Sequence, residues 1–436
     1  MSMKIVVTGT GYVALSTATS LAKLGHNVTC VDDNCETINA LSNATPIINE
    51  QGFPELLARF LNNGKLKFTT NLKEALPGAE IIICGVVTPI NNTGSADNTP
   101  ILKLAEEIGK NLTSSILYIS SSTVPLGTTK LVKTIVENKI AERNLNIEFN
   151  VASMPEFLRE GTAIDSFFNP LKIVIGTDNI DNYETILALL EPTIKESTLV
   201  YKTTIEEAEL IKLASNMLVA TRISYMNSLA RVCDKMGAEY TNIHRAIFGE
   251  NMPIYAGAGY SGECFPKDIR TLIDGVEKVG ADATLLKAVD AFNQTHKLQL
   301  YNKLNLYYTE GLRDKRIAIW GLAARDGSLD IENTPSIAIT QSLLKDGSIV
   351  MAYDKSANQK FKDKFPQDRV IVSDDKLRTL HNADALIILT DAAEFKAIDL
   401  KIVKELMATP LILDVKNLFN RRDIEEAGII YCRLFN

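Results

Sequence analysis

A chain of 436 residues is long enough for two or three domains with sizeable cores. Its composition, 46% apolar and 23% charged with a net charge of -7, is that of an ordinary globular protein and disfavours nonspecific nucleic-acid binding, which needs clustered positive charge. No apolar run approaches the ~20 residues of a membrane span, no signal peptide is legible at the start, and six cysteines without a CxxC pair argue against a disulfide framework or a zinc site and fit a reducing cytoplasm.

In chain order, residues 4–8 (KIVVT) read as a buried parallel strand. The turn Gly9-Thr10-Gly11-Tyr12-Val13-Ala14 follows, then a helix over about 13–24 that Gly25 ends, then a strand over 28–32. This is a βαβ unit with a GxGxxA fingerprint. Gly9 and Gly11 let the backbone turn and approach a pyrophosphate, and Ala14 lets the helix pack close. The helix N-terminus then faces phosphates. Asp32, at the end of the second strand, is the ribose carboxylate, and with Asp33 beside it would repel a 2′-phosphate. NAD is expected rather than NADP.

β-rich runs at 81–84, 116–119 and 173–175, with helical stretches between, predict a doubly wound parallel sheet. Thr123 follows one of these strands, where ligands bind in such sheets, and Thr88 is counted with it among the cofactor contacts. Thr204-Ile205-Glu206-Glu207 is a capping box, and an uninterrupted helical pattern runs from it to Met236, closed by Gly237. That helix fits a spine between domains and a homodimer contact, or equally a buried core helix. A second α/β pattern, with strands at 316–320, 349–353, 385–389 and 411–414, keeps only Gly321 at its turn. It predicts a Rossmann-like domain that holds the nucleotide part of a substrate, not a second dinucleotide. The expected division is 1–203, a Rossmann NAD-binding domain; 204–310, a central helical domain; and 311–436, a C-terminal nucleotide-binding domain.

Several residues carry potential chemistry. Cys264 stands in a glycine-rich loop just before a helix expected to start at Pro266, with Lys267 nearby; both would favour the thiolate, although a lone cysteine is commonly inert. Glu156 and Glu160 in PEFLREG share one side if that segment is helical, as an acid–base pair or as a solvated face. Lys212 and Asn216 have the same spacing, suited to an oxyanion or to surface exposure.

In this order, the pieces GTGYVALS, STVPLGTT, PEFLREG, the helix with Lys212 and Asn216, and CFPKD resemble the nucleotide-sugar 6-dehydrogenases, the UDP-glucose/GDP-mannose dehydrogenase family, nearly throughout. The resemblance implies NAD-dependent four-electron oxidation of UDP-glucose at C6 to UDP-glucuronate. Cys264 would form a thiohemiacetal and then a thioester, Lys212 and Asn216 would stabilise oxyanions, and Asp268 would position or activate water. Glu160 and Thr123 would lie close to the chemistry and cofactor, and Lys267 near NAD. Glu156, Phe157, Leu158, Tyr255 and Gly257 fall in segments that contact substrate. The same chemistry on GDP-mannose or another UDP-hexose, and a non-catalytic nucleotide sensor, are the alternatives.

This chain departs from the family pattern at several positions. Ser261 replaces a glycine, and Glu263 sits beside Cys264, where its carboxylate opposes a thiolate unless it points away or the pH is raised. The shortened segment at 249–253 lacks the usual arginine. Arg325 stands for a lysine and can still bind phosphate, Glu332 stands for an arginine, and Lys416 stands where an arginine is common.

Overall fold

The computed structural model of the protein describes residues 2–249 and 256–435. The chain forms two compact units, Met1–Ser215 with Arg270–Gly280, and Asn216–Ile269 with Ala281–Asn436. The first is built on eight strands: β1 (Lys4–Thr8), β2 (Asn27–Val31), β3 (Leu66–Thr69), β4 (Ile81–Cys84), β5 (Ile116–Ser120), β6 (Phe149–Ser153), β7 (Lys172–Gly176) and β8 (Leu199–Thr203). Their order across the sheet is β3-β2-β1-β4-β5-β6-β7-β8. Every pairing is parallel except β6 with β7, which meet antiparallel at Ser153 and Gly176.

The second unit repeats the plan with β9 (Arg316–Trp320), β10 (Ile349–Tyr353), β11 (Val370–Val372), β12 (Ala385–Ile388), β13 (Leu411–Asp414) and β14 (Ile430–Arg433). Their order is β11-β10-β9-β12-β13-β14, parallel throughout. The expected α/β architecture is therefore present in both units.

Alternate side chains of each central strand enter different cores. Ile5, Val7, Ile81 and Ile83 pack with one set of helices, and Val6, Ile82 and Cys84 with the opposite set. Ile317, Ile319 and Ile387 are divided in the same way from Ala318, Trp320, Leu386 and Ile388. Burial on both faces is why these strands read as continuous apolar runs. In the first sheet the strand order reverses between β1 and β4, which opens a crevice beyond their carboxyl ends.

The helix Ile205–Met236 begins as its capping box requires. Thr204 N donates to Glu207 (2.8 Å), and Glu207 N donates to the Thr204 hydroxyl (3.3 Å). One turn on, Glu209 is buried, and its carboxylate accepts from Gly127 N (2.6 Å) and Thr129 N (2.9 Å). These are the first amides of the helix Thr128–Glu142, whose own cap residue, Gly127, has no side chain to offer them. Burial pushes the Glu209 carboxyl above its ordinary range, and the hydroxyl and amide donors around it oppose that shift. Glu209→Ala should lower the unfolding free energy by about 2–3 kcal/mol, read from the urea midpoint, because two charge-assisted hydrogen bonds go at once. Glu209→Gln should lose about half as much, and an unchanged Glu209→Ala midpoint would refute this capping role.

Candidate active site

The turn after β1 is built by close approach. Gly9 has φ +93°, and a Cβ there would lie 2.8 Å from the carbonyl oxygen of Gly85, which follows β4. Gly85 in turn faces Ala14, whose Cβ would be 2.8 Å from any side chain added at 85. The helix Tyr12–Lys23 therefore starts against the sheet with Gly11 as its cap, one residue earlier than the sequence suggested. Asp32 Oδ2 accepts from Thr10 N (2.8 Å) and the Thr10 hydroxyl (2.7 Å), and Oδ1 accepts from Asn34 N (3.0 Å). A bare cradle of glycines, the amides of a helix N-terminus and a carboxylate at the end of β2 suit the pyrophosphate and ribose of NAD.

The Tyr12 side chain has another task. Its hydroxyl donates to the buried Glu50 and accepts from Gly161 N. Glu50 also accepts from Ile164 N (3.0 Å). Burial and the Glu50 carboxylate push the Tyr12 phenol above its ordinary range. On the neighbouring strand ends, Thr88 is buried and donates to the Thr123 carbonyl (3.0 Å).

Residues 154–159 form no helix, so the spacing argument for Glu156 and Glu160 does not apply. The segment is a loop that ties itself down instead. Glu156 accepts from Leu158 N (2.7 Å), and Lys212 Nζ donates to both the Glu156 carbonyl (2.7 Å) and carboxylate (3.1 Å). Lys212 is buried, which removes the surface alternative for it, while Glu160 lies exposed in the turn that follows. The Phe157 ring carries the ammonium groups of Lys172 at 4.0 Å and Lys212 at 5.3 Å from its centre. Glu156, Phe157, Leu158 and Lys172 line a cavity of about 750 Å3 in the first unit that includes no residue of the phosphate turn.

In the second unit the loop before Cys264 is held from four directions. Gly257 N donates to Asn227 (2.8 Å), and His296 Nε2 donates to the Gly257 carbonyl (2.8 Å). The Asn293 amide accepts from Tyr260 N and donates to Tyr260 O, both at 2.9 Å. Gly262 N donates to the Glu332 carbonyl (2.8 Å), and Glu263 N donates to Asp330 (2.8 Å). Left-handed backbone falls at Gly259 (φ +94°) and Gly262 (φ +89°) but not at Ser261, so the serine replaces a glycine without strain. The helix begins at Cys264 rather than Pro266, and Pro266 occupies its first turn, where a missing amide has no cost. Cys264 and Glu263 are exposed, whereas Lys267 and Asp268 are buried. Asn216 donates to Asp268 Oδ2 (2.6 Å). Tyr255 and residues 250–253 lie outside the described residues.

The turn after β9 repeats part of the first-domain geometry. Gly321 has φ +83°, and Asp354, which follows β10, accepts from Leu322 N (2.8 Å) and Ala323 N (3.3 Å). No helix opens there; the next one starts at Pro335. The long intervening loop borders a cavity of about 640 Å3 lined by Gly257, Ser261, Gly321, Ala324, Asp391 and Lys416. Arg325 is exposed beside Ala324. The Glu332 carboxylate pairs with Lys364 (3.2 Å), with both groups half in solvent.

The NAD-binding domain of the UDP-glucose/GDP-mannose dehydrogenase family matches residues 3–194, its central domain matches residues 206–295 and its UDP-binding domain matches residues 318–421. The chain belongs to this family. It is 35% identical to a UDP-glucose 6-dehydrogenase of Pseudomonas aeruginosa, over 98% of this chain and 96% of that protein. It is also 35% identical to UDP-glucose 6-dehydrogenase YwqF of Bacillus subtilis, over 98% and 97%. Among solved structures, a UDP-glucose dehydrogenase from Pyrobaculum islandicum superposes with TM-score 0.89 at 28% identity, covering 100% of this chain and 98% of that one. As a family member the protein is an NAD-dependent dehydrogenase, and its cofactor is NAD.

The family fingerprint did not mark the residues that hold the loop. Asn227, Asn293, His296 and Asp330 are remote in sequence from the loop, and no local pattern distinguished them from other polar residues of their segments. His296 is the most sensitive of them to acid. It is buried, stacks between Phe292 and Phe435, and burial lowers its pKa to about 4. An unfolded imidazole binds its proton near 6.5. Between these values the unfolded chain holds more protons, so stability falls as pH drops from about 6.5 and levels off below about 4. The loss from this group is on the order of 3 kcal/mol. Thermal melts across that range should show the decline, and His296→Gln should flatten it; an equal slope in the variant would contradict the assignment.

Proposed function

We propose that the protein oxidises the C6 alcohol of UDP-glucose to the carboxylate of UDP-glucuronate in two successive two-electron steps, with Cys264 as the nucleophile. The observation that carries this reading is the position of Cys264. It is exposed as the first residue of a helix, at the end of a loop pinned by its glycines and amides, with the buried Asp268 one turn on and bonded to Asn216. A helix N-terminus favours a thiolate, and an exposed thiolate is the reactive form. The near-complete coverage of UDP-glucose 6-dehydrogenases supports the choice of sugar nucleotide.

NAD, when bound at the turn of Gly9, Gly11, Tyr12 and Val13 and at Asp32, supplies the acceptor for each hydride. The residues of this chain do the rest. Loss of a hydride and a proton from the C6 alcohol leaves an aldehyde, to which the Cys264 thiolate adds. The adduct takes up a proton to give a thiohemiacetal, which can lose a second hydride and a proton and become a thioester; water adds to it, the thiol leaves, and the carboxylate is released with a proton. Lys212 and Asn216 stabilise oxygen anions along this route, and Asp268 directs the water. Lys267, Thr88, Thr123 and Glu160 contact the cofactor side; Glu156, Phe157, Leu158, Tyr255 and Gly257 contact the sugar nucleotide. Arg325 binds its phosphates, for which the guanidinium fork is suited. The loop after Gly321 and the adjoining cavity support reading residues 311–436 as the nucleotide-binding segment, with 1–203 holding NAD and 204–310 carrying the thiol.

The assembly proposed is a homodimer through the long helix. Leu210, Leu218, Tyr225, Val232 and Met236 form an exposed apolar row at seven- or eight-residue spacing and at its end, the pattern by which two helices pack side by side. The setting proposed is the cytoplasm; no described helix is long and apolar enough to cross a membrane.

Full oxidation consumes two NAD and yields two NADH per UDP-glucuronate formed. One NADH per sugar would refute the four-electron reading, and reduction with GDP-mannose but not UDP-glucose would move the substrate. Cys264→Ser should abolish completed turnover, by a factor of at least about 1000, while NAD and UDP affinities stay within about twofold of the parent. Turnover at the parental rate would remove Cys264 from the mechanism.

A further inference from the structure

The loop that follows Gly321 and the loop that ends at Cys264 are joined by one main-chain hydrogen bond and by the side chains of Asp330 and Asn333. Asp330 is the centre of the join. One carboxylate oxygen accepts from Glu263 N (2.8 Å), the amide immediately before the cysteine, and the other accepts from Glu332 N (2.9 Å). The Asp330 amide donates to Ser328 Oγ (3.0 Å), and its carbonyl accepts from Ala324 N (2.8 Å). Gly262 N donates to the Glu332 carbonyl (2.8 Å), and Asn333 Nδ2 donates to the Gly262 carbonyl (3.4 Å). Little slack remains, because a Cβ at Gly262 would stand 2.8 Å from Asp330 Oδ2. A carboxylate at this point also suits the start of a helix, whose first amides have no partners within it.

We infer that Asp330 is a positioning residue for Cys264, and that through it the loop carrying Arg325 sets the geometry of the nucleophile according to whether a nucleoside diphosphate is bound. The inference rests on the reading of Cys264 as the nucleophile. Arg325 adjoins Ala324, whose amide closes the loop onto Asp330, so a diphosphate that draws on Arg325 also loads the carboxylate at Glu263. The carboxylate form is required because two amides are served at once. Asparagine presents a single carbonyl oxygen and can serve one of them; alanine serves neither.

The test uses the full chain with UDP as the probe. Two quantities are measured for the parent, Asp330→Asn and Asp330→Ala: steady-state NAD reduction with UDP-glucose, and the rate of Cys264 alkylation by iodoacetamide with and without UDP. UDP lacks the sugar, so it does not cover the thiol as a substrate would. In the parent, UDP should change the alkylation rate at least twofold. Asp330→Ala should lower kcat at least about tenfold, the effect of losing a hydrogen bond to a charged group, with NAD affinity unchanged and no response of alkylation to UDP. Asp330→Asn should fall between them, and it decides the matter by the same criteria if Asp330→Ala does not fold. Parental alkylation with an intact UDP response in the variants overturns the inference, whether or not kcat falls. Parental turnover by Cys264→Ser sinks the underlying reading instead, so the two failures are distinguishable.

Discussion

The leading amides of a helix have no partner within it, and this protein treats them differently at the helix starts around its site. The helix Thr128–Glu142 receives the buried carboxylate of Glu209. The long helix receives its own Thr204 and Glu207. The helix of Cys264 is preceded by an amide given to Asp330. The helix Tyr12–Lys23 receives no side-chain cap at all. Its amides stay available, and a site that must take a pyrophosphate needs them so.

The same economy appears in the two sheets. Each begins with a strand, a left-handed glycine and a second strand ending in an aspartate that accepts amides from the turn. In the first unit the helix opens at once and packs Ala14 against Gly85. In the second it is delayed to Pro335, and the residues between are free to carry Arg325 outward and Asp330 back to the cysteine loop. A repeated architecture thus presents uncapped amides after the glycine turn in one copy and an exposed loop in the other.

The strands show where sequence pattern is informative. The central strands β1, β2, β4, β5, β7, β9, β10, β12 and β13 were legible because both faces are buried and their residues are almost all apolar. The strands that were not legible include all four sheet edges, β3, β8, β11 and β14. An edge strand buries fewer of its side chains, as β8 shows with Leu199 and Tyr201 exposed, so its composition carries less signal. The interior strand β6 was also missed, with Asn150 and Ser153 interrupting its apolar run. Glu156 and Glu160 failed for a different reason: a spacing of four has meaning only on a helix, and Pro155 begins a segment that folds as a loop around Lys212.

The amino-acid sequence by itself determined the phosphate turn, Asp32, the long helix with its cap and the loop that ends at Cys264. Each is a local pattern in which neighbours along the chain do the work. Tertiary structure alone decided what holds those patterns in place. Glu50 reaches Tyr12, Glu209 reaches Gly127, Asn293 reaches Tyr260 and Asp330 reaches Glu263, across separations that no window of sequence spans. The physical reason is that an amide left over by a turn can be satisfied by any acceptor that the fold delivers, and only the folded chain specifies which one arrives.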